Sequence, residues 1–185
     1  MYFLDTSKIS QMKEKRKVIL SYHSIFNRIM DYFILSVIVL GILSASLINL
    51  INTIHQSESL TSAILLFLMA LLFLVFIVNA LINTKKLTPI QGVNRSTNRR
   101  MIKELAEEWE WEILIHSHDV SILRKPLSSF SLEWGRSLYI IYDKNDILIC
   151  CLTFGRSDSI SLFHGFQNRN YVNQVKEVLS KNKRN

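Results

Sequence analysis

Two long stretches without a formal charge, residues 32–54 and 60–84, constrain this chain more than any other feature. A helix needs roughly 20 predominantly apolar residues to cross a hydrocarbon core about 30 Å thick, and both stretches reach that length. Backbone N–H and C=O groups that face lipid must be paired within their own segment, which a helix achieves. The sequence therefore predicts a two-helix transmembrane hairpin over residues 32–84.

Lysine and arginine flank this hairpin but are absent from its connecting loop. The flanking bases are Lys8, Lys13, Lys15, Arg16, Lys17 and Arg28 before it and Lys85, Lys86, Arg95, Arg99, Arg100 and Lys103 after it. Positive residues close to a membrane segment resist translocation, so both termini are expected in the cytoplasm and the protein in the inner (plasma) membrane. The first stretch is too long, and begins too far from the N-terminus, for a cleaved signal peptide.

The formal net charge of +7 lies almost wholly outside the hairpin. A cationic inner surface is expected beside anionic lipids, where each nearby base contributes about 1 kcal/mol of attraction. We therefore assign most of the charge to membrane topology, with the lipid bilayer as the expected partner. A smaller share is left for binding an anionic ligand or nucleic acid.

Residues 1–31 are expected to form a basic arm that is cytosolic or lies at the membrane interface. Apolar residues recur at approximately helical spacing over 8–30, between lysines and arginines. This pattern fits an interfacial amphipathic helix. It fits equally a simple extension of the first span, and the sequence leaves both interpretations open.

Gly41 and Ala45 form a small-xxx-small pair within the first span. Such positions let two helix backbones approach closely, which favours a homo-oligomer, or else close packing of the first span against the second. Neither span contains Asp, Glu, Lys or Arg, so neither offers an obvious carrier for a proton or ion relay. Any pore is therefore expected to require oligomerisation.

Residues 96–185 are predicted to form a cytosolic domain, joined to the hairpin by a linker over 85–95 in which Pro89 and Gly92 discourage a continuous helix. An amphipathic helix capped by Ser96 or Asn94 is predicted, and another over 170–181. Alternating apolar residues and turn signals predict strands at 111–115, 120–125, 137–142, 147–154 and 159–163. The order of elements indicates an α+β fold, with an antiparallel sheet packed by two helices.

Cys150 and Cys151 are adjacent within one of the predicted strands. Neighbouring side chains of a strand point to opposite faces, so the two thiols are poorly placed to pair. A reducing cytosol argues the same way, and buried packing is the favoured interpretation.

The sequence His116-Ser-His118-Asp119 suggests a metal site, to which Asp119 or His164 could add a third ligand. Two histidines at i and i+2 of a strand share one face, as zinc ligands often do. The motif lies in a predicted turn, however, and no fourth ligand is apparent. We therefore predict neither a metal nor another cofactor, and no catalytic residue.

Arg136, Arg156 and Arg169 lie near predicted turns or the start of the final helix, and we predict them as contacts for a nucleotide or other anionic ligand. Nearby aromatic residues could stack on bases, although core packing explains them more simply. The chain contains neither a phosphate-binding loop nor a dinucleotide fingerprint.

Three functions fit these features. The first is a membrane effector whose cytosolic domain senses a ligand or partner and controls membrane assembly or disruption. In architecture the chain resembles the small two-span effectors of bacterial antiphage systems, a likeness that carries over no functional residue. The second is a non-catalytic accessory or immunity subunit anchored by the hairpin, and the least favoured is a membrane-tethered, metal-dependent hydrolase.

Overall fold

A computed structural model of the chain describes residues 3–21, 25–55, 60–125, 135–154, 160–161 and 164–182. The chain divides into two compact units. The helical hairpin comprises Tyr22–Leu81, and the sheet domain combines Met1–Ser21 with Ile82–Asn185. The sheet domain is therefore assembled from both sides of the hairpin in sequence.

The helical hairpin consists of α2 (Ile25–His55) and α3 (Leu60–Asn83). Its most apolar segments, Ser36–Ile54 and Thr61–Ala80, have mean hydropathies of 2.1 and 2.9. Only 6% and 17% of these segments is buried, unlike core helices of soluble proteins. Both helices are long and apolar enough to cross a membrane, and they are compatible with membrane insertion.

One stripe of each hairpin helix is covered, and its residues recur at alternating intervals of four and three. The stripe comprises Val39, Leu43, Ser46, Leu50 and Thr53 in α2 and Ala63, Phe67, Ala70, Leu74 and Ile77 in α3. This heptad spacing is typical of helices that pack side by side. Gly41 and Ala45 are exposed on the other side of α2, and a Cβ built at Gly41 meets nothing within 4 Å. The structure thus differs from the expectation that these small residues pack against the second span.

The sheet domain contains a five-stranded antiparallel sheet in the order β3-β7-β6-β5-β4. Its strands are β3 (Thr88–Gln91), β4 (Glu112–His116), β5 (Val120–Lys125), β6 (Gly135–Asp143) and β7 (Asp146–Phe154). The predicted α+β class with an antiparallel sheet is confirmed. The expected linker over 85–95 instead contains an edge strand, β3. Of the strand predicted at 159–163, the described part forms a single bridge between Phe154 and Ile160.

Two helices cover the first face of the sheet, as the sequence predicts. α4 (Arg95–Glu108) begins at Asn94, whose side chain accepts a hydrogen bond of 2.8 Å from the Thr97 N–H. This bond satisfies one of the backbone donors that a helix start leaves unpaired. α5 (Gly165–Asn182) begins earlier than predicted. Buried residues shared by this face include Ile102, Leu105, Leu138, Ile140, Ile149 and Val175.

The N-terminal arm covers the second face. It comprises β1 (Phe3–Leu4), a 3-10 turn, α1 (Ile9–Lys15) and β2 (Leu20–Ser21), with β1 and β2 paired antiparallel. Its apolar side chains join the buried residues of this face, which are Leu4, Met12, Val18, Leu20, Val120, Ile122, Tyr139, Ile141, Leu148 and Cys150.

The placement of the arm corrects the expectation of a separate arm carrying one helix over residues 8–30. α1 ends at Lys15, the next residue Arg16 has a left-handed φ of 48°, and the chain then continues to β2. The alternative of an extended first span holds only from Ile25 onward, where α2 begins. The physical reason is that both faces of the sheet are apolar, so the second face also requires a cover.

The segments that enter and leave the hairpin are hydrogen-bonded to each other. The Val18 N–H donates to the Lys85 carbonyl and the Leu87 N–H donates to the Arg16 carbonyl, each at 2.9 Å. Lys17 and Lys86 face each other in this antiparallel bridge. We call this pairing of residues 16–18 with 85–87 the clasp.

Cys150 and Cys151 are buried thiols outside any disulfide, and they pack on opposite faces of the sheet. The prediction of two buried thiols that do not form a disulfide with each other is therefore confirmed. Burial raises the pKa of the Cys150 thiol, which keeps it protonated and unreactive at neutral pH.

Changing Gly92 to Ala should destabilise the sheet domain by about 1–3 kcal/mol, the usual cost of overpacking. A Cβ at Gly92 would overlap the Asn98 side-chain amide and the Asn145 carbonyl, which are hydrogen-bonded to each other at 3.0 Å. Chemical unfolding followed by tryptophan fluorescence measures this, since all three tryptophans belong to the sheet domain.

Gly165→Ala is the matched control, because a Cβ there meets nothing within 4 Å. It should leave the free energy of unfolding unchanged or slightly raised, since alanine favours a helix more than glycine does. Equal stability of the Gly92→Ala and Gly165→Ala variants would contradict the packing described around Gly92.

Candidate functional site

Arg136, one of the predicted anion contacts, has a buried side chain that is held by several contacts. It lies near the start of β6 on the face covered by α5, and only 4% of the residue is exposed. Its Nε donates to Thr153 Oγ1 at 3.0 Å, and its Nη2 donates to Gln167 Oε1 at 2.7 Å. The guanidinium carbon lies 4.9 Å from the centre of the Tyr171 ring, within cation–π range. A positive charge is thus buried beneath the first turns of α5.

Strand register explains how this polar cluster forms. Lys125, Arg136 and Thr153 are cross-strand partners on β5, β6 and β7, so their side chains share one face at one end of the sheet. Thr153 is fully buried and donates to Asn168 Oδ1 at 2.7 Å while accepting from Arg136. The hydroxyl of Thr153 therefore links the buried guanidinium to α5.

Three aromatic rings continue the cluster. Trp109, Trp111 and Tyr171 pack with ring centroids 5.2 to 5.7 Å apart in tilted or edge-on arrangements. Lys125 Nζ donates to the Tyr171 hydroxyl at 3.2 Å. The rings stack on one another and on cations, so they act as part of the packing between α5 and the sheet.

Arg169, another predicted anion contact, does not join Arg136 in the structure. Arg169 is exposed on α5, whereas Gln167 and Tyr171, which touch Arg136, occupy a different side of the helix. Arg156 lies outside the described residues. Of the three arginines, the structure therefore describes two, one buried under α5 and one on its exposed side.

A second polar network begins at His116, the last residue of the edge strand β4. Its Nδ1 lies 2.7 Å from Ser121 Oγ, which in turn lies 2.8 Å from the Tyr142 hydroxyl. Ser121 and Tyr142 are completely buried and His116 is half-buried. A serine this deeply covered is inaccessible to a substrate, so the pair links β4, β5 and β6 rather than forming a nucleophile and base.

The electrostatics of this network are dominated by burial and by two cations of α4. Burial, followed by the charges of Arg99 and Lys103, lowers the pKa of His116 from its usual 6.5. Burial raises the pKa of Tyr142 to about 12. Both side chains are therefore neutral at pH 7, and the network can be held by neutral hydrogen bonds.

His118 has different surroundings from His116. Its Nδ1 lies 2.8 Å from Arg95 Nη1, and the same guanidinium nitrogen lies 3.4 Å from Asp119 Oδ1. His164 Nδ1 is hydrogen-bonded to Ser161 Oγ. The described residues contain no group of three or more His, Cys, Asp or Glu side chains that could hold a metal ion.

Comparison with known proteins identifies no relative of this chain. The chain matches no protein-family model, no curated protein and no solved structure. Its function must be argued from its own residues.

Changing Thr153 to Val should lower the free energy of unfolding by about 1–3 kcal/mol. Valine keeps the shape of threonine but removes the hydroxyl that accepts from Arg136 Nε and donates to Asn168 Oδ1. Chemical unfolding followed by tryptophan fluorescence measures the change.

Thr88→Val is the control, because Thr88 is exposed on the edge strand β3. Surface substitutions of this kind change stability by about 0.5 kcal/mol or less. If Thr153→Val were as stable as Thr88→Val, the hydroxyl would not be supporting the buried Arg136.

Proposed function

We propose that this protein is a two-span inner membrane protein whose sheet domain senses a ligand or protein partner and controls membrane assembly or disruption through the helical hairpin. The observation that carries the proposal is the clasp, together with the arm that covers the second sheet face. Both segments that lead into the hairpin are parts of the sheet domain.

Exposed apolar side chains on both hairpin helices support insertion into a bilayer. Leu40, Leu65 and Leu72 are each 64–65% exposed, among the highest values in their helices, and most other large apolar residues there are 40–60% exposed. Fully burying a leucine side chain is worth about 1.5–3 kcal/mol, so leaving this many exposed to water is costly. A lipid environment removes that cost.

The bases beside the clasp support an orientation with the sheet domain in the cytoplasm. Lys15, Arg16, Lys17 and Lys86 are exposed, and Lys85 is half-buried. Antiparallel pairing brings bases from both ends of the hairpin to one place. Such a group is favoured beside the anionic inner leaflet and disfavoured for translocation.

Burial of the arm against the sheet supports the proposed control of the hairpin by the sheet domain. Met12, Val18 and Leu20 of the arm are buried in the same cluster as Tyr139 and Leu148 of the sheet. Only residues 22–24 separate the end of β2 at Ser21 from the start of α2 at Ile25. A rearrangement of the sheet's second face would therefore be transmitted to the start of α2.

Self-association of hairpins is the step that we assign to Gly41 and Ala45. These residues are exposed on the side of α2 opposite its covered stripe, so a second copy can approach them without disturbing the pairing within one hairpin. Close approach of small residues is a common driving force for helix association in lipid. This proposal requires neither a catalytic residue nor a metal, and it is compatible with an antiphage effector role.

A non-catalytic accessory or immunity subunit is the second candidate, favoured by the edge strand β4. β4 ends the sheet, and Ile113, Leu114 and Ile115 are only half-buried. A partner protein can extend a sheet by adding a strand to such an edge. This candidate predicts a partner that co-purifies after detergent extraction.

Induced expression should depolarise cells, and combining Gly41→Ile with Ala45→Ile should abolish that effect by blocking close helix approach. A membrane-potential dye provides the measurement, with equal amounts of each variant confirmed in the membrane fraction. Leu47→Phe is the control, since it enlarges another exposed α2 residue away from the small-residue pair and should retain full activity.

Preserved membrane potential at full expression, in the presence of the activating conditions, would contradict effector function. Depolarisation that survives in the double variant would retain effector function but overturn the role of Gly41 and Ala45. A stable co-purifying partner combined with preserved potential would select the accessory function.

A further inference from the structure

Three side chains on α4 and β4 form a group that the sensing function has not yet used. Arg99 and Lys103 are four residues apart, so they lie on one side of α4, and His116 ends the edge strand β4. We call Arg99, Lys103 and His116 the basic cluster.

Arg99 contains an unsatisfied donor. In the described part of the chain its Nε atom is buried and has no hydrogen-bond partner. More than 90% of buried polar groups in folded proteins are paired, so such an atom calls for a specific explanation. An ion or other ligand that supplies an acceptor is one such explanation.

The Arg99 charge acts on two groups of the His116 network. It lowers the pKa of His116 and also acts on Tyr142, which links to His116 through Ser121. Lys103 acts on the same imidazole. Two cations from one helix therefore act on the half-buried end of the Tyr142–Ser121–His116 network.

The network also prepares His116 as a donor. Its Nδ1 is occupied by Ser121 Oγ at 2.7 Å. When Tyr142 donates to Ser121 and Ser121 donates to Nδ1, the proton of the neutral imidazole is on Nε2. Arg99 Nε, Lys103 Nζ and His116 Nε2 then supply three donors, two of them cationic, and Lys103 Nζ also lies 3.8 Å from Glu107 Oε1 at an exposed position.

We propose that the basic cluster binds the phosphate group of a small ligand or of a lipid headgroup. Arginine and lysine are well suited to phosphate oxygens, and charge-assisted hydrogen bonds are about twice as strong as neutral ones. A phosphate has enough acceptor oxygens to bond all three donors at once. This site deepens the proposed sensing function, on which its biological role rests, but binding can be measured independently of any effect on membranes.

The test uses the full-length chain in a nonionic detergent, with inorganic phosphate as the first probe and chloride at equal ionic strength as the reference. Phosphate should raise the thermal unfolding temperature saturably and shift the ring resonances of His116 in NMR spectra. Arg99→Gln should weaken the apparent affinity at least about tenfold, the effect of losing one charge-assisted bond. Arg100→Gln removes the same charge from the neighbouring, exposed position, where Arg100 lies 3.6 Å from Glu104, and should bind phosphate normally.

Two further arms distinguish the source of the phosphate. A nucleoside monophosphate that binds at least tenfold more tightly than inorganic phosphate would identify a soluble nucleotide. Stronger His116 shifts in nanodiscs that contain phosphatidylglycerol than in purely zwitterionic ones would identify a lipid headgroup.

Equal loss of binding in Arg99→Gln and Arg100→Gln would overturn the proposal, because the effect would then be general charge. Absence of any saturable response to phosphate, nucleotide or anionic lipid would also overturn it. Circular dichroism checks that Arg99→Gln is folded, and Lys103→Gln, on the exposed side of the cluster, provides a second variant with the same expected direction. Binding without depolarisation would leave the site intact and count against the effector function alone.

Discussion

The clasp between residues 16–18 and 85–87 is the interaction on which the rest of this structure depends. Two backbone hydrogen bonds of 2.9 Å join the chain just before the hairpin to the chain just after it. This pairing makes the sheet domain a single unit despite the interruption of its sequence by the hairpin. It also requires both ends of the hairpin to begin on the same side of any membrane that the helices cross.

In the function that we propose, the arm and the clasp are the means by which the sheet domain acts on the hairpin. One face of the sheet is covered by α4 and α5, two helices that local sequence patterns predict. The other face is covered by the N-terminal arm, which precedes α2 in the chain. The two faces therefore differ in role. The first carries Arg136 and the basic cluster, and the second carries the connection to the hairpin. A ligand on the first face would have to act through the shared strands β5, β6 and β7.

The elements that the sequence predicted correctly are those specified by local periodicity. The hairpin helices and strands β4 to β7 follow from apolar stretches and alternation alone. The structure of the arm could not be predicted in this way, because its contacts are long-range and the two-residue strands β1 and β2 are too short to give a periodic signal. A usable signal was the almost unbroken apolar run in β6 and β7, which is typical of strands covered on both faces. Site prediction was limited in the same way, since the burial of Arg136 and of Arg99 Nε depends on tertiary packing that spacing does not reveal.

Disulfide formation across the clasp tests this account most directly. Lys17→Cys combined with Lys86→Cys places two thiols at facing, exposed positions of the bridge, within the usual Cα separation of disulfides. A protease site inserted in the loop 56–59 allows the two halves to be separated after oxidation in native membranes. The account predicts that the cleaved halves stay joined on a nonreducing gel and separate on reduction, whereas Lys17→Cys with Thr88→Cys, shifted by two residues, does not join them. Failure of the first pair to cross-link, or equal cross-linking of both pairs, would contradict it.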